Sequence, residues 1–145
     1  MSEQITATGP ERQRATFLLD KAFASYSINE LDAAKRFYGE TLGLKVTEEE
    51  GCGLGLHFPG GASVFLYPKA DHQPANFTVL NLPVKDIDAA VAALGDKGIR
   101  FEQYGGDIAT DEQGILRTPP DQPGPAAIAW FKDPAGNILS VLQET

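Results

Sequence analysis

The pattern of apolar and polar positions predicts two amphipathic helices in similar settings. Apolar residues return at helical spacing within NELDAAKRFYGETLGL and again within KDIDAAVAALGDKGI. Asn29 is expected to cap the first helix. Leu31 in the first helix and Ile87 in the second lie 56 positions apart, which indicates an internal repeat.

Strand-like stretches surround both helices in the same order. KAFASYSI and NFTVLNLPV precede the helices, and LKVTEE and IRFEQY follow them. Each copy then ends in a predicted hairpin, which turns at Pro59-Gly60-Gly61 in the first copy and at Asp133-Pro134-Ala135-Gly136 in the second.

The order β-α-β-β-β therefore occurs twice, which predicts an α+β fold of two tandem βαβββ modules. We expect one domain over 21–145, with module one at about 21–70 and module two at about 76–144. Residues 1–20 form an N-terminal extension, whose stretch RQRATFLLD is expected to form a short docking helix. The Gly- and Pro-rich segment 105–125 is predicted to be a loop that carries one strand near 115–118.

Charge and cysteine content narrow the classes of partner. The formal net charge of −8 comes without a basic stripe, which argues against binding to nucleic acid. Cys52 is the only cysteine, so no disulfide can form within the chain. No apolar run approaches the roughly 18 residues of a membrane span, and no signal peptide precedes the domain. We therefore expect a cytoplasmic protein with no membrane contact.

Two segments carry a family resemblance. LDAAKRFYGETLGLKV and WFKDPAGNILSVLQ resemble the glyoxalase/bleomycin-resistance/extradiol-dioxygenase superfamily, also called vicinal oxygen chelate proteins. The likeness extends over about 21–144. The resemblance implies that the modules form a cup-like curved mixed sheet. It also implies a homodimer, in which modules of both chains shape the cups.

The resemblance also raises the question of a metal. In the metalloenzymes of this family, His, Gln or Glu from the first and last strand of each module hold a divalent ion. The internal repeat places Phe23, Phe65, Val79 and Ser140 at those positions. Zinc or nickel needs imidazole, thiolate or carboxylate ligands, and this set offers one hydroxyl. The chain thus resembles a metal-less member, and no cofactor is expected.

A cup with aromatic walls and a few polar groups is typical of a small-molecule site. His57 is the best acid/base candidate, because imidazole titrates near neutral pH, whereas His72 is expected to have only a structural role. A hydrophobic core would use the same aromatic residues, so that alternative stays open. The residues expected to line the cup are Phe23, Ser25, His57, Phe65, Tyr67, Val79, Tyr104, Trp130 and Ser140.

Three functions remain open at this point. The first is a metal-independent binding protein that holds an apolar or aromatic ligand in the cup. The second is a lyase, isomerase or oxygenase of the same superfamily that uses metal-free acid/base chemistry. The third is an accessory protein that acts through an interface. One fold hosts many chemistries, so the fold cannot separate them.

Overall fold

The computed structural model describes residues 9–10 and 16–145, and two four-stranded sheets and two α-helices lie wholly within the continuous range 16–145. A 3₁₀ turn at Leu19–Lys21 precedes the first strand, and another lies at Gly106–Ile108. The helices are α1 (Leu31–Arg36), which continues as a π-helical turn over Phe37–Thr41, and α2 (Ile87–Asp96). The strands are β1 (Ala24–Ile28), β2 (Lys45–Glu49), β3 (Gly53–His57), β4 (Ser63–Pro68), β5 (Thr78–Pro83), β6 (Ile115–Arg117), β7 (Ala127–Lys132) and β8 (Ile138–Gln143).

The two sheets repeat one topology. The strand order is β1-β4-β3-β2 in the first sheet and β5-β8-β7-β6 in the second. In each sheet the first and last strands of the module run parallel, and the other neighbours run antiparallel. The helix of each module connects its first two strands. The predicted α+β fold with two βαβββ modules is confirmed.

The second module differs from the prediction after its helix. IRFEQY was expected to be a strand, but residues 99–104 are irregular, and β6 in the long segment pairs with β7 instead. Residues 99–104 stay close because Phe101 packs edge-on against Phe131, with ring centroids 5.5 Å apart. The expected strand near 115–118 is confirmed.

The helix ends also differ from expectation. The N-cap of α1 is Glu30 rather than Asn29, and its side chain makes no capping hydrogen bond. In α2, the Asp86 carboxylate accepts hydrogen bonds from the backbone N–H groups of Asp88 and Ala89. This is the usual N-cap arrangement.

The N-terminal docking helix expected at 12–20 lies partly outside the described residues. In the part that the structure describes, Leu19–Lys21 forms a 3₁₀ turn with no buried residue. Phe17, Leu18 and Leu19 are exposed. This described part therefore does not dock on the domain.

Both helices pack on one face of the sheets and form a single core with them. Alternation along the strands sends Leu54, Leu56 and Leu66 of the first sheet to this face, with Leu139 and Val141 of the second. The buried apolar residues are Ile28, Ala34, Tyr38, Leu54, Leu56, Leu66, Ile87, Val91, Ile115, Ala127, Ala129, Phe131, Ala135, Leu139 and Val141.

A buried polar network joins the two modules. The Asp133 carboxylate, which is 5% exposed, accepts a hydrogen bond from Tyr38 Oη at 2.7 Å. It also accepts from the backbone N–H groups of Ala135 and Asn137, in the β7–β8 turn. Asn137 Nδ2 donates to Ser27 O at 2.8 Å, across the module boundary. Burial raises the pKa of Tyr38 far above its usual range, so its hydroxyl stays a donor.

No helix among the described residues has the length and apolar character needed to cross a membrane.

The network predicts a specific loss of stability. Tyr38→Phe removes the donor to the buried Asp133 carboxylate and should lower the free energy of unfolding by about 2 kcal/mol, as for hydrogen bonds to charged groups. Urea denaturation followed by circular dichroism measures this loss. Tyr67→Phe is the matched control, since Tyr67 makes no side-chain hydrogen bond within the described residues and should change little. Equal stability of the two variants would contradict the role of Tyr38.

Candidate functional site

The face of the first sheet opposite the core carries an open, aromatic-walled hollow, which we call the first-module cup. Side chains that alternate with the core leucines of β3 and β4 line it. Its volume is about 360 Å³. The lining residues are Phe23, Glu49, Cys52, Gly55, His57, Ser63, Val64 and Phe65.

Two aromatic side chains of β4 lie next to each other on this face. The rings of Phe65 and Tyr67 lie nearly parallel, 19° apart in plane, with centroids separated by 6.2 Å. Ser25 stands opposite Phe65 in the parallel β1–β4 ladder. Phe23, one residue before β1, lies at the rim and is 61% exposed. The structure thus brings five predicted residues together here: Phe23, Ser25, His57, Phe65 and Tyr67.

A polar chain crosses the floor of the first-module cup. Thr47 Oγ1 donates to Glu49 Oε2 at 2.8 Å and contacts His57 Nε2 at 2.8 Å. The ends of the Thr47, Glu49 and His57 side chains all lie above Gly55. Gly55 pairs with Thr47 in the β2–β3 ladder. Thr47 and Glu49 were not among the residues predicted from the sequence. Alternating glycines before a histidine were the available signal.

The second sheet carries a comparable hollow, the second-module cup, of about 400 Å³. Trp130 and Tyr104 pack edge to face with centroids 5.4 Å apart. Trp130 Nε1 donates to Thr78 Oγ1 at 3.1 Å, which fixes the indole. Partial burial and the nearby Glu102 carboxylate raise the pKa of Tyr104. The lining residues are Asn76, Phe77, Thr78, Tyr104, Ile108, Trp130 and Ile138.

Ser140 keeps its predicted strand position but is covered, whereas Val79 does not take the place predicted for it. Ser140 is fully buried and donates to Asn81 Oδ1 at 2.6 Å, so Asn81 covers its hydroxyl. A register shift between Thr78 and Leu80 turns Val79 toward the core. The β5 residue opposite Ser140 is Asn81, just as Ser25 is the β1 residue opposite Phe65. The repeat of 56 positions holds, but the first-strand positions lie two residues later than expected.

The chain therefore carries two separate hollows, one on each sheet, instead of the single cup predicted from both modules. The two cups share no lining residue. The sheets that carry them do not pair with each other. The contacts between modules run instead through the core side and the β7–β8 turn, as in the Tyr38–Asp133 and Asn137–Ser27 hydrogen bonds.

The second histidine has a structural role. His72 Nε2 donates to the carbonyl oxygen of Ala135 at 2.9 Å, and its Nδ1 accepts from Ser27 Oγ at 2.6 Å. His72 therefore bridges β1 and the β7–β8 turn, as expected for a satisfied histidine outside the cups.

A third hollow, of about 320 Å³, lies at the module junction beside the helices. Its lining includes Lys97, Arg100 and Lys132, together with Glu102. Lys97 Nζ donates to the carbonyl oxygen of Thr41, and Lys132 Nζ lies 3.7 Å from Glu102 Oε1. Lys97 and Lys132 thus already have a hydrogen-bond or ion-pair partner within the chain. The hollow was not predicted from the sequence.

The comparisons with known proteins agree with this architecture. A family model described as Glyoxalase/Bleomycin resistance protein/Dioxygenase superfamily matches residues 22–141. The chain belongs to this superfamily. A search of curated proteins finds no match.

Several solved structures have the same fold. TnmS3, an antibiotic binding protein from Streptomyces sp. CB03234, is 23% identical over 86% of this chain and 96% of that chain, with a TM-score of 0.56. A superfamily member from Sphaerobacter thermophilus DSM 20745 is 23% identical over 85% and 97%, with a TM-score of 0.61. Lactoylglutathione lyase from Agrobacterium tumefaciens is 20% identical over 84% and 92%, with a TM-score of 0.59.

The donor set does not fit the divalent metal of the superfamily's metalloenzymes. The paired positions on the first and last strands are Ser25 with Phe65 and Asn81 with Ser140, which offer hydroxyl and amide groups only. Within residues 9–10 and 16–145, no three His, Cys, Asp or Glu side chains are grouped so that they could hold an ion. Zinc and nickel sites need such groups. No catalytic step through a metal can be derived.

Elemental analysis tests this expectation directly. Protein purified without chelators and then dialysed should hold less than about one-tenth of an equivalent of zinc, nickel, iron or manganese per chain, because the paired positions lack suitable donors. Dialysis against added zinc, followed by desalting, is the matched loading control and should give the same result. A stable ratio near one metal per chain would contradict the expectation.

Proposed function

We propose that the protein binds a planar apolar or aromatic small molecule without a metal. The observation that carries this proposal is the pair of aromatic-walled cups on the sheet faces opposite the core. Small-molecule sites are typically concave, mostly apolar and supplied with a few polar groups. In the first-module cup, Phe65 and Tyr67 supply the apolar wall, and His57 supplies a polar group.

Apolar burial and stacking alone fall short of micromolar affinity. Burial of about 200 Å² of apolar ligand surface at roughly 25 cal/mol/Å² contributes on the order of 5 kcal/mol. Stacking on one aromatic ring adds about 1 kcal/mol. Micromolar affinity needs about 8 kcal/mol after the cost of immobilising the ligand. A polar contact is therefore required, and the cup floor offers one.

The proposal includes a homodimer in which each ligand lies between two chains. Each cup is open to solvent and would form one half of the proposed ligand site. Apolar side chains at the rims are exposed: Phe23 is 61% exposed, Phe77 65% and Ile108 45%. Exposed apolar side chains grouped around a hollow are typical of interaction sites. A two-fold axis would place the first-module cup of one chain against the second-module cup of its partner.

Acid/base catalysis without a metal is the second candidate. The Glu49–Thr47–His57 chain favours it, because a carboxylate and a hydroxyl orient an imidazole inside the first-module cup. Among the structural neighbours, one is described as an antibiotic binding protein and another as a lactoylglutathione lyase. Both descriptions are compatible with a ligand in the cups.

The proposal also includes a cytoplasmic location, since Cys52 is a free thiol.

The assembly can be measured first. Light scattering after gel filtration at micromolar concentration should give twice the 15.6 kDa chain mass. Phe77→Asp places a charge at the rim of the second-module cup and should shift the mass toward the monomer, whereas Phe17→Asp, outside both cups, should not. A wild-type monomer at micromolar concentration would contradict the dimer.

Ligand binding is tested with 7-methoxycoumarin, a planar apolar probe. Calorimetry should give a micromolar dissociation constant, and binding should quench the single tryptophan, Trp130. Phe65→Ala removes an aromatic wall and should weaken binding about tenfold. Phe17→Ala is the matched control and should bind like the wild type.

Two outcomes decide between the candidates. No binding of 7-methoxycoumarin or of its 7-hydroxy analogue below 1 mM, with the fold intact by circular dichroism, would count against the cups as sites. A panel of thioester, lactone and enone substrates should be recovered unchanged by mass spectrometry after incubation. Turnover of any of them that His57→Gln abolishes would favour the enzyme.

A further inference from the structure

Gly55 of β3 shapes the floor of the first-module cup. Gly55 lies between Leu54 and Leu56, so the leucines enter the core and Gly55 faces the cup, whereas Gly53 lies against the backbone of β4 at Leu66. Because glycine carries no side chain, the side chains of neighbouring residues can meet above the strand. Gly55 thus has a role that its sequence pattern alone did not explain.

Three polar groups converge above Gly55. A Cβ atom at this position would lie 2.9 Å from His57 Nε2, 2.9 Å from Thr47 Oγ1 and 3.3 Å from Glu49 Oε2. Real Cβ atoms essentially never approach other atoms as closely as the first two distances, so an alanine would displace the ends of these side chains. Glycine at position 55 leaves the space in which they meet.

The hydrogen bonds in this trio have a fixed direction. The Glu49 carboxylate can only accept, so the single hydroxyl proton of Thr47 points to Glu49. Thr47 Oγ1 must then accept from His57 Nε2 across their 2.8 Å contact. His57 is therefore held as the Nε2–H tautomer, and its Nδ1 carries a lone pair.

The Nδ1 atom of His57 is exposed to solvent. It has no hydrogen-bond partner within the described residues, and every buried side-chain nitrogen or oxygen in that part of the chain has one. Nδ1 is therefore accessible to solvent. His57 lines the same cup as Phe65, whose ring stacks with Tyr67. An accessible proton acceptor thus shares the cup with an aromatic wall.

We propose that the first-module cup selects planar aromatic ligands that carry a phenolic or enolic O–H, with His57 Nδ1 accepting that hydrogen bond. This inference rests on the proposed function, because it assumes that a ligand enters the cup. Thr47 and Glu49 are positioning residues, since they act on the ligand only through the tautomer of His57. Gly55 allows them to do so.

The geometry also provides for transfer of the proton. If the ligand is acidic enough, its O–H bond breaks and an Nδ1–H bond forms, which leaves a ligand anion beside an imidazolium. The imidazolium still donates from Nε2 to Thr47 Oγ1, and the Thr47 hydroxyl still donates to Glu49. The anion of the ligand is thereby stabilised in the cup.

Nitrogen-15 NMR of the imidazole rings tests the positioning. The chain has only two histidines, and His57→Gln identifies the signals of His57 by their loss. Two-bond proton–nitrogen spectra should show His57 as the Nε2–H tautomer in the wild type and in Thr47→Ser. Thr47→Val and Gly55→Ala should produce a mixture of tautomers. Gly95→Ala, where a Cβ atom meets nothing within 4 Å, is the matched control.

Ligand selectivity is tested with 7-hydroxycoumarin and 7-methoxycoumarin, which differ in the O–H donor. The wild type should bind the hydroxy compound at least tenfold more tightly by calorimetry. The ratio should fall below threefold in His57→Phe, which keeps a planar ring but has no hydrogen-bond acceptor. Bound 7-hydroxycoumarin should also show the absorption band of its anion in the wild type and not in His57→Phe.

The outcomes separate this inference from the proposed function. If both coumarins bind the wild type with affinities within threefold, the cup stands as a site and the inference is overturned. An Nδ1–H tautomer in the wild type overturns it as well. If neither coumarin binds, both the proposed function and the inference fail.

Discussion

The buried carboxylate of Asp133 is the contact on which the placement of the two modules depends. It lies in the β7–β8 turn of the second module and accepts a hydrogen bond from Tyr38 of the first, while Asn137 reaches back to Ser27. A buried charge is tolerated only when donors surround it. The modules consequently meet through their core side, and the opposite faces of both sheets are left open as cups.

This arrangement separates the aromatic residues into two kinds. Tyr38 and Phe131 complete the core at the junction, whereas Phe65 and Trp130 face the cups. Phe65 and Trp130 thus lie outside the core cluster, and ligand binding in the cups stays a prediction. The two cups share polar floors but not the same chemistry, because only the first contains an imidazole, and only the second contains an indole held by Thr78.

Residue periodicity was sufficient to predict the two modules, since each sheet and helix buries an alternating or helical apolar face. It could not predict that β6 would come from the long segment, because Ile99 and Phe101 have strand-like alternation but pack on the core without a ladder. The contacts between side chains on neighbouring strands could not be predicted either. Ser140 was identified as a floor residue, yet only the β5–β8 register shows that Asn81 covers it. The Thr47–His57 contact depends likewise on a cross-strand register that spacing along the chain does not give.

A crystal structure of the protein with bound 7-hydroxycoumarin tests the central claim most directly. The account predicts the ring against Phe65 in the first-module cup, its oxygen within hydrogen-bond distance of His57 Nδ1, and the second-module cup of a partner chain above it. Ligand bound instead in the hollow at the module junction, beside Lys97 and Arg100, with both cups empty would contradict the account.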